Sequence, residues 1–237
     1  MRRTSQQFFK SSPLVIAAAV LLLLMLAGAV LGPLISPWDG EAMDFEALEA
    51  PPSFSHWFGT DLVGRDLFVR TMEGARVSFL VAFIAVTVSL AIGIPWGAAA
   101  GLAGGRVDQL MMRFVDGMYC LPGILIVILL VVLFGRNPYL LFAALGAISW
   151  LTIARIVRGQ TLRLRNAPFI EAARAMGLST PYILRKHVIP NVIGPVIVYT
   201  TLAIPAVILA ESFISFLGLG IAEPQTSWGV LVSDGTA

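Results

Sequence analysis

Few side chains in this sequence have the type and spacing to carry chemistry. The two histidines, His56 and His187, are separated by several long apolar stretches. The predicted topology puts them on opposite sides of a membrane, so they form neither a dyad nor a shared metal site. The single cysteine, Cys120, lies inside an apolar run. That excludes a disulfide within the chain and any multi-cysteine metal site. Gly101 to Gly105 is glycine-rich but lacks the Gly-Lys-Ser/Thr ending with which a phosphate loop grips a nucleotide. No catalytic residue, cofactor site or metal site emerges. Two acids remain. Glu211 stands within an apolar run, where an ionisable group is a functional candidate by default. It can line a pathway, pair with a positive substrate group or carry a proton, or it can serve a structural or gating role near the outer end of its span. Glu171 is the one acid in a strongly basic stretch from Arg158 to Asn191.

That basic stretch lies between two long apolar segments. Counting Arg155 just before it, it contains Arg158, Arg163, Arg165, Arg174, Arg185 and Lys186. A segment this basic between membrane spans belongs on the cytoplasmic side. Its centre reads as a short helix. Pro168 suits a first helical turn, and Glu171 to Met176 are good helix formers. Gly177 is a natural C-terminal stop, and Pro181 forbids simple continuation.

The spacing Glu171-Ala172-Ala173, then Gly177, then Ile189-Pro190 resembles the EAA loop of bacterial binding-protein-dependent ABC importer permeases. Two further stretches resemble the dipeptide, oligopeptide and nickel group of that family, in its C-type subunit. Gly59 to Ser78 is similar to the GTD…GRD segment and amphipathic elbow before the second span. Leu209 to Gly220, with Ser227-Trp228-Gly229, is similar to the SFLGLG…SWG stretch after the fifth. In that family the EAA loop forms a coupling helix that docks on a cytoplasmic ATPase. The resemblance therefore assigns ATPase coupling to Glu171, Ala172, Ala173, Arg174, Gly177, Ile189 and Pro190. Alanines leave a slim helix face for close approach, and an acid is favoured at a helix start.

The elements that must position this loop are membrane spans. The chain has 237 residues, 57% hydrophobic and 13% charged, which excludes an ordinary soluble domain. A first, uncleaved span is expected from about Leu14 to Ile35, after the basic Met1-Arg2-Arg3 and Lys10. It is too long for a signal-peptide core. From Ser36 to Glu73 acids dominate, which places this loop outside. There Leu67, Phe68 and Met72 are expected to line a short interfacial elbow. The second span is expected from about Phe79 to Gly101. Gly93, Gly97, Gly101 and Gly105 recur every four residues in and after it, as a helix-packing stripe. A short cytoplasmic turn with Asp108, Arg113 and Asp116 follows. The third span is expected from about Gly117 to Phe134, then a tight outer turn with Arg136. The fourth runs from about Tyr139 to Val157 and the fifth from about Val192 to Phe216.

The expected fold is thus an all-α integral membrane protein with the N-terminus inside and about five spans. The resemblance makes it a type I ABC importer permease. Relatives in that group continue into one further span, which this chain, ending at Ala237, is expected to lack. The expected division is 1–75, the first span with the acidic loop and elbow, and 76–237, the permease domain with its coupling loop at about 158–190.

The function that the resemblance implies is ATP-driven import of di- or oligopeptides across the bacterial inner membrane by alternating access. The chain is then a transport subunit, not an enzyme. The implied partners are a second, related permease, two cytoplasmic ATPase subunits, an external substrate-binding protein and membrane lipid. Nucleic acid is not among them, because the basic residues lack interleaved aromatics. Three alternatives stay open: a permease for nickel or another small solute, a proton- or ion-coupled secondary transporter using Glu211, and a membrane assembly factor.

Overall fold

A computed structural model describes residues 13–135, 137–221 and 223–236. The expected basic N-terminus (Met1, Arg2, Arg3, Lys10) and Arg136 lie outside the described residues. Within them the regular structure is helical, apart from one isolated bridge between Thr60 and Asp66. The helices are α1 (Pro13–Ile35), α2 (Leu67–Ala103), α3 (Gly105–Tyr119), α4 (Gly123–Phe134) and α5 (Pro138–Leu164). They continue with α6 (Pro168–Ala175), α7 (Thr180–Ile183), α8 (Ile189–Phe216) and α9 (Trp228–Asp234). Four stretches are long and apolar enough to cross a membrane, α1, α2, α5 and the run from Thr180 to Phe216. A fifth arises if α3 and α4, bent by 73° to each other, count as one broken span.

The chain divides into two compact units, one of Met1–Phe79 with Ala222–Ala237 and one of Leu80–Ile221. The grouping differs from the expected one, because residues 223–236 fall in the first unit rather than the second.

In the first unit, α1 meets the start of α2 through its glycines. A Cβ on Gly32 would lie 2.9 Å from the Met72 Cβ, and one on Gly28 would lie 3.1 Å from its sulfur. The expected elbow is not a separate element. Leu67 to Met72 form the opening turns of the unbroken, 37-residue α2. Phe68 packs edge-on against Trp57 and Phe58, at 4.7 and 5.2 Å between ring centres. The acidic loop before α2 is tied down by its few bases. Arg70 is 1% exposed and donates to Asp61 at 2.6 Å and to Asp234 at 3.2 Å. Arg65 donates to Asp61 at 2.7 Å and to Glu223 at 3.1 Å. His56 is buried against Asp66 at 2.9 Å and stacks on Trp38.

Asp61 makes this network pH-dependent. Burial pushes its carboxyl up, but the backbone N–H groups of Arg65 and Val63 and the Arg65 guanidinium outweigh burial and hold it below its ordinary 3.8. A group with a depressed folded pKa stabilises fully above its unfolded value and loses that contribution as pH falls through the folded one. Limited proteolysis should therefore find the 36–66 loop protected at neutral pH and opened only in acid below 3.8. Asp61→Asn should be cut readily at neutral pH, since Arg70 would then be buried without its nearer partner. Equal protection of the variant would remove the argument.

In the second unit, α2 runs against α5 with almost no space between the backbones. A Cβ on Gly93 would lie 2.8 Å from the Ile153 side chain, and one on Gly101 would lie 2.7 Å from the Thr161 Cβ. One on Gly97 would collide with the Ala154 carbonyl oxygen. The stripe stops there. Gly105 has φ +57°, opens α3 and faces nothing within 4 Å. Asn137 starts α5 by accepting from the N–H groups of Tyr139 and Leu140, with Pro138 in the first turn.

The expected cytoplasmic turn with Asp108, Arg113 and Asp116 and the first residues of the expected third span, from Gly117, form one 15-residue helix instead, Gly105–Tyr119. Asp108, Met112 and Val115 are its buried stripe, which is helical spacing. The third span is correspondingly short. α4 has 12 residues, so it reaches only about 18 Å, against the roughly 30 Å of a bilayer core.

Candidate functional site

The basic stretch folds into a short helix held off the end of a long one. α5 continues to Leu164, so the expected loop from residue 158 is helical at its start. Ala167 is extended, as the residue before a proline must be, and Pro168 opens α6. The helix ends in a Schellman motif. Gly177 takes φ +76°, its N–H donates to the Arg174 carbonyl, and the Leu178 N–H donates to that of Ala173. Both the start and the stop signal are local chemistry that a sequence displays openly.

One face of α6 belongs to this chain's own core. Ile170 is 0% exposed and Ala173 is 1% exposed. They pack with Ala98, Leu102, Val157, Ile183, Val188 and Val192. Ala173 is therefore an inward residue and not part of a slim outer face. The slim face is made by Ala172 and Ala175, both exposed. Glu171 and Arg174 are exposed beside them, in the first and last turns. Phe169 and Met176 (71% exposed) flank Ala172 at helical spacing, and Tyr182 is exposed on the next helix, with Phe169 and Tyr182 each near the His187 ring. Arg163, Arg185 and Lys186 are exposed in the flanking segments. These three apolar residues are not in the Glu-Ala-Ala pattern. Their signal was large apolar side chains inside a charged stretch.

The return to the membrane contains a π turn, Leu184–Val188, leading into α8. Pro190 explains it. A proline has no N–H for the carbonyl four residues back, and its ring clashes there, so the backbone widens by one residue. The carbonyl of His187 is taken up by the Asn191 side chain at 2.6 Å. Ile189 is half-buried and Pro190 exposed at the start of α8.

Glu211 is fully buried in α8 and accepts from the Ser215 hydroxyl at 2.6 Å. The end of α8 folds back over this pair. Gly218, at φ +71°, closes a second Schellman turn, and Gly220 lies against Ser215 so closely that a Cβ would strike its hydroxyl. This places Glu211 in a packed helix end. A cleft of about 410 Å³ opens instead between α2, α4, α5 and α8. Its walls are aliphatic, with hydroxyls from Ser89, Ser149, Thr152, Tyr199 and Thr200. Among the described residues no acid or base lines it, and Glu211 is not among its walls.

The arrangement can grip a partner through an exposed apolar patch with a basic surround, and it can hold a neutral solute in a cleft. Residues 93–237 match the family described as binding-protein-dependent transport system inner membrane component. Residues 3–52 match the N-terminal transmembrane domain of oligopeptide transport permease C. The oligopeptide transport system permease protein OppC of Haemophilus influenzae is 50% identical over 87% of this chain and 67% of its own length. The dipeptide transport system permease protein DppC of Bacillus subtilis is 46% identical over 87% of this chain and 65% of its own. The chain thus spans about two thirds of the length of these curated relatives. Among solved structures, the MetNI methionine ABC transporter in inward-facing conformations is similar in fold. Its TM-score is 0.53 at 19% identity, over 62% of this chain and 74% of that one.

Proposed function

This chain belongs to the binding-protein-dependent transport system inner membrane component family, and we propose from that premise that it is the permease subunit of an ATP-driven peptide importer. The observation that carries the reading is α6. It is a short helix fixed on one face by Ile170 and Ala173, and bare on the other at Ala172, Ala175 and Met176. Such a helix has no chemistry of its own and fits a groove on another protein.

In this reading α6 docks on one of two ATPase subunits, on the cytoplasmic side of a bacterial inner membrane, with the N-terminus of the chain on that same side. Glu171 and Arg174 set the charge of the docking face, and Gly177 keeps the helix short. ATP binding draws the ATPases together, and their movement pushes α6. A second, related permease completes the pathway, and an external binding protein delivers cargo to the acidic-loop side. Hydrolysis, on the separate subunits, resets the assembly. Peptides are the favoured cargo because the relatives are named for oligopeptides and dipeptides. The cleft also suits them, since a wall of aliphatics and hydroxyls sets no charge against any side chain.

Purification of the chain from its native membrane in mild detergent tests the assembly. Two ATPase subunits and a second permease should accompany it. Recovery of the stable chain alone would count against this reading.

A further inference from the structure

The helix α3 is fastened to α5 in a way that transport as described so far does not use. The two helices run antiparallel. Asp108 is 6% exposed, and both its oxygens accept from Arg158, from Nε at 2.5 Å and Nη2 at 2.7 Å. Two turns further along α3, Asp116 accepts from Arg155 at 2.6 Å. The Arg155 guanidinium also lies 3.9 Å above the Tyr119 ring, and the Tyr119 hydroxyl meets that of Thr152 at 2.7 Å. Between these polar links Met112 and Val115 pack on Trp150, Leu151 and Ala154.

The strongest link is also the one nearest α6. Arg158 lies two turns before the end of α5, and only residues 165–167 separate α5 from α6. Those residues are tied as well, because the Arg165 guanidinium covers Gly104, where φ is +64° and a Cβ would collide with it. At its other end α3 bends by 73° into α4, and Gly123, Ile124 and Val127 of α4 line the cleft. The α6 helix, the inner end of α5 and α3 are thus one connected body that ends at the cleft wall. A two-point guanidinium–carboxylate pair fixes orientation as well as distance, which a single-point contact does not.

We propose that Asp108 and Arg158 are positioning residues for energy coupling. Their paired hydrogen bonds carry movement of α6 through α3 and the bend at residues 120–122 to the α4 wall of the cleft. Without them movement of α6 still reaches the α5 and α8 walls of the cleft, but the α4 wall no longer follows it. The inference rests on the importer reading above.

The test uses the full complex with its ATPases and binding protein, reconstituted in vesicles, and reads ATP hydrolysed per peptide imported. Asp108→Asn keeps the shape and removes the charge. Arg158→Lys keeps the charge and removes the two-point geometry. Both variants should assemble and hydrolyse ATP, with roughly tenfold more ATP spent per peptide than the parent. A folding role alone lowers hydrolysis and import together with the amount of complex, leaving the ratio unchanged. An unchanged ratio in both variants, or failure of both to assemble, overturns the proposal. A parent complex with no ATP-driven import removes the importer reading instead.

Discussion

Replacing Gly177 with proline should abolish uptake while the chain still inserts in the membrane. Three effects act at one residue. The backbone there has φ +76°, whereas proline is fixed near −65°. Proline also removes the N–H that donates to the Arg174 carbonyl. It disfavours the near-helical conformation of Met176 before it, at φ −76° and ψ 2°. Together these exceed about 3 kcal/mol, enough to unravel the last turn of an eight-residue helix. The damage stays local, since nothing lies within 4 Å of a Cβ at this position. The alanine variant separates the effects. It keeps the N–H and meets only the left-handed backbone penalty of about 1 kcal/mol, so it should retain most uptake. Uptake per unit of chain in the membrane reads both. Normal uptake by the proline variant would detach α6 from coupling.

Replacing Gly97 with valine should prevent the second unit from folding. Its Cβ would strike the Ala154 carbonyl oxygen and lie 2.9 Å from both the Arg158 nitrogen and the Val157 Cβ. Two of those neighbours are backbone, so no rotamer change relieves the contact. In a membrane, small residues are what allow helices to pack this closely. Ordinary overpacking costs about 1–3 kcal/mol, and separation of two helix backbones should exceed it. Gly194→Ala is the control, since a Cβ there meets nothing within 4 Å. The amount of chain in the membrane and its thermal stability in detergent should collapse for Gly97→Val and hold for Gly194→Ala. Equal stability of the two variants would refute the close α2–α5 contact.

What was legible in the sequence follows from how local its cause is. The limits of α6 were readable because Pro168 and Gly177 act on their own backbone. The first, second, fourth and fifth spans were readable because their length and apolarity need no partner. The permease family was readable from spaced motifs, and the comparisons bear it out. The orientation of Ala173 was not readable. Whether an alanine is slim for a partner or for its own core depends on where Val157, Val188 and Val192 lie. Asp108, Arg113 and Asp116 look solvated in sequence, which predicts a turn where most of α3 stands. Both acids are satisfied by arginines, Asp108 by Arg158 and Asp116 by Arg155, on a helix some 40–50 residues away. The spacing of Asp108, Met112 and Val115 was the available signal for that helix. The elbow vanished into α2 because nothing between Leu67 and Met72 breaks a helix. Glu211 invites functional readings in the sequence because neither its burial nor its hydrogen bond from Ser215, one turn on, can be seen before the chain is folded.

The most direct test of the account is uptake by the reconstituted complex. The chain would be placed in sealed vesicles with its second permease and ATPases, with binding protein and a labelled peptide on the acidic-loop side. ATP on the α6 side should drive accumulation of the peptide there. A proton gradient without ATP should drive none. Accumulation that follows the proton gradient and ignores ATP would contradict the account.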